Sequence, residues 1–157
     1  MFPQASIERV FSMFDIEETG GNAQNTRTYR VAPAATVIGP DVCVLLASTG
    51  PDTVVAAAAG TPVIGTDTVI GRTVTYSNNT TTEDGNVEVQ KADEGVTYRV
   101  KLATPVTTTA AALALIGGQY VFGANQTLDT AATAPTNGLK VVSVDISTQT
   151  AEVELVN

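Results

Sequence analysis

Few residues in this chain are able to do chemistry, and they are poorly placed to do it together. There is one cysteine, Cys43, and no histidine. A cysteine nucleophile acts as a thiolate beside a basic partner, for which histidine is the usual choice. Cys43 instead stands in "DVCVLLA", an apolar run in which a buried, inert thiol is expected. The missing histidines also remove the commonest zinc ligand and the commonest general base. Three adjacent acid pairs remain, Glu17-Glu18, Glu83-Asp84 and Asp93-Glu94, each close to glycine in a turn-like setting. Two carboxylates facing across a cleft could cleave a glycosidic bond. Sugar clefts are usually lined by aromatic rings, however, and four Tyr, four Phe and no Trp make a thin supply. The pairs read as solvated turn acids.

Other motifs are missing in the same way. The "TTEDGN" tip lacks the alternating acids and closing Glu of a calcium loop. No lysine follows a glycine-rich loop at P-loop spacing, and no G-x-S-x-G elbow occurs. No catalytic residue, cofactor site or metal ligand is expected, and the chain reads as a non-enzyme. Asn78, Asn79 and Asn125 begin N-x-Thr triplets, which a chain this rich in Thr produces by chance. The formal net charge is −8, and its eight basic residues are scattered. That balance argues against nucleic acid, which needs clustered Lys or Arg, and against anionic lipid. "VCVLLA" and the alanine-rich "TTTAAALALIGG" are too short to span a bilayer, and the N-terminus lacks a signal-peptide pattern. Synthesis in a cytoplasm is expected.

The elements that would position any site are mostly strands. The chain holds 25 Thr, 21 Val and 21 Ala, and the stiff, β-branched Val and Thr suit a pleated surface. Alternation or apolar runs predict strands over 26–32, 41–48, 69–77, 86–92, 96–104, 118–123, 139–147 and 151–157. The "DEG" between 86–92 and 96–104 reads as a hairpin turn, and "STQT" as that of a closing hairpin. "TVVAAAAGT" (53–61) and "TTTAAALALIGG" (107–118) are alanine-rich enough for short helices, the second stopping at Gly117-Gly118. The fold class expected is mainly β, a small barrel or sandwich body over 26–157 with one or two short helices.

Residues 1–25 are expected to form a separate arm or short helix. Ile7, Val10, Phe11 and Phe14 recur at helical spacing after Ser6, with Phe2 nearby. "ETGGNAQN" then reads as a polar tether. Two readings stay open for the stripe: packing on its own domain, or docking on a neighbouring subunit. A further oddity is a repeat. Gly60, Val63, Gly65 and Asp67 fall opposite Gly118, Val121, Gly123 and Asn125. The expectation is two similar barrel corners, each turning at one glycine and bending at the next.

"VVAAAAGTPVIGTDTVIGRTV", with "GGQYVFGANQTL" and "NGLKVVSVDISTQTAEVELVN", resembles the capsid decoration, or cement, proteins of tailed bacteriophages. The matching elements are Ala59–Val63, Val69–Val74, Gly118–Val121, Leu139–Val144 and Glu152–Leu155. The resemblance runs from about residue 53 to the end, and segment 26–52 has no clear counterpart in it. It implies a β-barrel-like homotrimer on the outside of an expanded virion head, bracing the shell against DNA pressure. The partner would be the phage major capsid protein, with no direct contact to nucleic acid or membrane. The implied capsid-binding segment is the arm, with Phe2, Ile7, Val10, Phe11 and Phe14; Arg27 and Arg30 at its exit are added as contact candidates on their residue type and place alone. The alternatives are another phage assembly component (tail-tube, head-fibre or minor shell protein) or a small β-barrel that binds a small ligand or a carbohydrate. The last would need a concave site lined by Tyr76, Tyr98 or Tyr120.

Overall fold

A computed structural model describes residues 17–20 in backbone outline, and 26–92 and 96–156 in full. The chain runs β1 (Glu17–Gly20), β2 (Thr26–Val31), β3 (Cys43–Leu46), β4 (Val54–Ala56), β5 (Val69–Thr73), β6 (Gly85–Lys91) and β7 (Thr97–Lys101). It continues through helix α1 (Thr109–Leu115), β8 (Gln119–Phe122), a 3-10 turn (Ala124–Gln126), β9 (Leu128–Asp129), β10 (Leu139–Asp145) and β11 (Thr150–Leu155). These strands form a six-stranded sheet, β1-β7-β11-β10-β8-β9, and a five-stranded sheet, β2-β6-β5-β3-β4, with neighbouring strands antiparallel throughout.

The mainly β expectation holds, and the two sheets make a sandwich-like body rather than one closed barrel. Each sheet nevertheless curls. In the five-stranded sheet the two ends approach at one parallel bridge, Arg30 to Thr53, where Arg30 N–H donates to the Asp52 carbonyl at 2.8 Å. In the six-stranded sheet Leu128 of β9 bridges Leu102 just beyond β7, leaving β1 as an outer edge. Two apolar fillings result, one lined by the five-stranded sheet and its loops, the other largely by the six-stranded sheet together with β3.

Strand β3 explains how two fillings fit one small chain. Val42 and Val44 point into one core with Tyr29, Val31, Val54, Val87 and Val89. Cys43 and Leu45 point into the other, with Tyr98, Val100, Phe122, Leu139, Val141 and Val153. Both faces of β3 are therefore buried, which is why its sequence is a continuous apolar run and does not alternate with polar residues. Strands with one solvent-facing side do alternate: in β6, Val87 and Val89 are buried while Asn86 and Glu88 are exposed.

Four expectations need correction. β6 and β7 do not pair; β6 joins β2 and β5, while β7 joins β1 and β11. The chain crosses between sheets where a hairpin was expected, because each strand's apolar face belongs to a different core. The stretch 53–61 carries β4, so its alanines do not make a helix: Val54 fills the first core, and Val54, Val55 and Ala56 pair with Leu46, Leu45 and Val44 of β3. The second alanine run does form the helix, capped by Thr108 Oγ1, which accepts from Ala111 N–H. Overlapping the start of the expected tether, Glu17–Gly20 is strand β1, paired with β7. The rest of the arm, including the stripe, lies outside the described residues.

The Gly-x-x-Val-x-Gly repeat is the fourth. Its first copy is a turn, with Gly60 and Gly65 in the left-handed region (φ 84° and 80°), whereas its second copy is strand β8. The copies do not share a geometry, but they touch. Gly60 N–H donates to the Phe122 carbonyl at 2.7 Å, and Phe122 N–H donates to the Thr61 carbonyl at 2.7 Å. The closing hairpin β10–β11 is as expected. Its turn is held by Asp145, whose Oδ1 accepts from Ser147 Oγ and from the Ser147 and Thr148 N–H groups. Those bonds, that from the Ser147 hydroxyl first, hold the Asp145 carboxyl below its ordinary range.

Candidate functional site

Of the seven contact residues expected from the sequence, Phe2, Ile7, Val10, Phe11 and Phe14 lie outside the described residues. Arg27 and Arg30 stand on β2. The Arg27 guanidinium lies over the Tyr29 ring, 5.3 Å from its centroid. Arg30 reaches the turn ahead of β6 and holds Asp84 at 2.7 Å. The hydrogen bond and charge of Asp84 raise the Arg30 pKa further. The two arginines are thus already engaged with their own domain. Both partners of the Arg30–Asp84 pair stay substantially exposed, so the pair is a surface feature within reach of a partner.

The acid pair Glu83-Asp84 divides accordingly. Asp84 faces Arg30, while Glu83 N–H donates to Thr80 Oγ1 in the turn. Asn78 Oδ1 accepts from Asn86 N–H at 2.7 Å, so the 78–86 tip is a pinned turn. Asp93-Glu94 lies outside the described residues, and Glu17-Glu18 is described in backbone only. Among the described residues, no group of three or more His, Cys, Asp or Glu is placed to hold a metal ion. No described helix is long and apolar enough to cross a membrane. Cys43 is buried, and desolvation pushes its thiol up to about 12.

Asn79 is one of the triplet asparagines and is buried. Its amide donates to the Ala35 carbonyl at 2.7 Å, and its Oδ1 accepts from Ser77 Oγ. Ser77 Oγ in turn accepts from Ile38 N–H. This chain ties the loop before β3 to the loop after β5. The residue is internal stitching.

Tyr98 and Tyr120 are core residues, each under a twentieth exposed, and cannot line an open site. Tyr76 differs: it is 39% exposed and borders an open groove of about 320 Å³ with Thr28, Thr75, Asn78, Asn86 and Glu88. The groove runs over the outer face of the five-stranded sheet. β2 supplies Thr28, β6 supplies Asn86 and Glu88, and the segment following β5 supplies Tyr76. Register places Thr28 opposite Glu88 and Arg30 opposite Asn86. The outward half of the period-2 pattern in 26–32 and 86–92 was visible in the sequence. That β2 and β6 are neighbours was not, since 54 residues separate Arg30 from its partner Asp84.

A second exposed feature is apolar. On α1, Leu113 is 62% exposed and Ile116, at its C-terminal end, is 44% exposed, while Ala112 packs inward. A surface leucine alone needs no explanation, but two on one short helix form a compact apolar knob. No known family model and no curated protein sequence matches this chain.

Proposed function

We propose that the chain is a structural virion protein that binds the outer surface of an expanded phage capsid and stabilises it against internal DNA pressure. It acts as a trimer and grips the major capsid protein through its N-terminal segment. One observation carries this reading. Strand β1 lies on the edge of the six-stranded sheet, so the segment bearing Phe2, Ile7, Val10, Phe11 and Phe14 is joined to the body at a sheet margin. An attachment there suits a contact element joined to a stiff body.

The body itself supports the reading. Two separately filled cores share β3, and the chain is rich in Thr and poor in charge, with 15% charged residues against about a quarter in ordinary domains. A cement protein gains strength from many identical weak contacts acting together on one lattice. The knob of Leu113 and Ile116 offers an apolar contact independent of the arm.

The test is co-sedimentation of the purified chain with tailed-phage heads stripped of decoration protein, comparing expanded with unexpanded shells. A version lacking residues 1–16 keeps β1 and runs alongside. Saturable binding to expanded shells, lost with residues 1–16, is the expected result. Absence of binding to either shell overturns the proposal. Sedimentation velocity of the free chain then separates a trimer from the rings a tube protein forms.

A further inference from the structure

We propose that the groove beside Tyr76 is a binding site for a neutral saccharide, a role separate from shell binding. The argument begins with the aromatic ring. Tyr76 is the most exposed tyrosine for which burial is described, and it is not loose: a Cβ at Gly39 would stand 3.3 Å from ring atom Cε1. The ring is seated against the Gly39 backbone, which only a residue without a side chain permits without displacement. A ring held in place and still 39% exposed loses little freedom when a ligand packs on it. The C–H face of a pyranose is the natural partner for such a ring, because it is apolar while its rim is polar.

The rest of the groove supplies what a sugar rim needs. Asn78 and Asn86 bring side-chain amides, Thr28 a hydroxyl, and Glu88 a carboxylate that accepts hydrogen bonds from ligand hydroxyls. The Glu88 and Asn86 main chains are held by Thr75 Oγ1 and Asn78 Oδ1, which accept from their N–H groups at 3.1 and 2.7 Å. The lining is therefore set on paired strands and a pinned turn. Among the described residues, Glu88 is the one charged residue lining the groove. It disfavours an anionic ligand, whether a phosphate or a sialylated sugar. The volume of about 320 Å³ lies at the lower end of small-ligand sites, enough for one or two sugar rings.

The ligand could be a free oligosaccharide or a sugar carried on a surface polymer; the chemistry is shared. The experiment titrates the full, isotopically labelled chain with neutral tetrasaccharides of glucose, galactose, mannose and N-acetylglucosamine, and with a sialylated tetrasaccharide. Amide shifts are read by NMR. The expected result is saturable shifts at Tyr76, Asn78, Asn86 and Glu88 with at least one neutral probe and weaker shifts with the sialylated one. Tyr76→Ala should weaken binding about tenfold or more, a loss of about 1.4 kcal/mol, while Tyr76→Phe retains it. Glu88→Gln, at an exposed position, serves as a second variant and should weaken binding without moving distant amides. A parallel arm with immobilised neutral polysaccharides decides between the sources: binding to tetrasaccharide without polymer assigns a free sugar, and binding to polymer, with or without tetrasaccharide, a borne one. No saturable shift with any neutral probe and no polymer binding, shifts centred elsewhere, or preference for the sialylated probe overturns the proposal. None of these outcomes touches the capsid reading, which is tested on shells.

Discussion

The Gln126 carboxamide pairs with both main-chain groups of Cys43, although 83 residues separate the two in the chain. Its Oε1 accepts from Cys43 N–H at 2.8 Å, and its Nε2 donates to the Cys43 carbonyl at 2.8 Å and the Ala57 carbonyl at 2.9 Å. The side chain thus behaves as a one-residue strand beside β3. Gln126 reaches this place from a left-handed backbone (φ 53°), a strained conformation for a residue with a side chain. Gln149 repeats the device at φ 55°, with its amide paired to both main-chain groups of Val106.

Gln126→Leu fills similar space but strips three hydrogen bonds from buried groups. Destabilisation of about 3 kcal/mol or more is expected from urea unfolding. Gln126→Glu sharpens the test, because its carboxylate would face two carbonyl oxygens. That environment raises the carboxyl pKa, so the variant is least stable at neutral pH and recovers as pH falls towards the unfolded value of about 4.3. A deficit equal at pH 7 and pH 4.5 would count against the clamp.

Cys43 carries a pH signature of its own. Its folded thiol is pushed up to about 12, above the unfolded value of about 8.5, so the unfolded chain loses this proton first as pH rises. Its stabilising contribution is intact below about pH 8.5 and declines above it, by about 1.4 kcal/mol per pH unit. The difference in alkaline unfolding between the native chain and Cys43→Ala isolates this slope from other titrating groups. A thiol reagent at pH 8 should leave the folded protein unmodified and react fully in urea.

Gly71 and Gly65 separate two reasons for glycine. A Cβ at Gly71 would overlap the Gln90 carbonyl across the β5–β6 pairing, so Gly71→Ala must break that register. A Cβ at Gly65 meets nothing within 4 Å, and only its φ of 80° resists. Thermal unfolding should show a loss of about 1 kcal/mol for Gly65→Ala and about 3 kcal/mol or more for Gly71→Ala.

Helix α1 gives a contrast between its two faces. Leu113→Lys, on the exposed face, should change stability by less than about 0.5 kcal/mol, whereas Ala112→Lys places a charge in the second core and unfolds the domain. Thr108→Ala removes the cap and should cost about 1 kcal/mol. Circular dichroism melts of the three variants check the order. In the shell assay, reduced binding of the stable Leu113→Lys variant would assign the apolar knob to the interface.

Local signals in the sequence were enough to place most strands. The alternation in 86–92 and 139–147 and the unbroken apolar run at 41–48 each report how many faces a strand buries, a property of the strand alone. The alanine run and the Gly117-Gly118 stop likewise marked α1, because such a stop acts within one turn. Which strand lies beside which was decided only in three dimensions. "TVVAAAAGT" became β4 because β3 offered hydrogen-bond partners and a core to fill, and that gain outweighs the helix preference of alanine. "DEG" did not close a hairpin because the apolar faces on either side of it belong to different cores. The groove at Tyr76 and the Gln126 clamp join residues far apart in the chain, from elements whose pairing no local pattern encodes. Composition and period set the kind of surface each segment presents; long-range packing alone sets which surfaces meet.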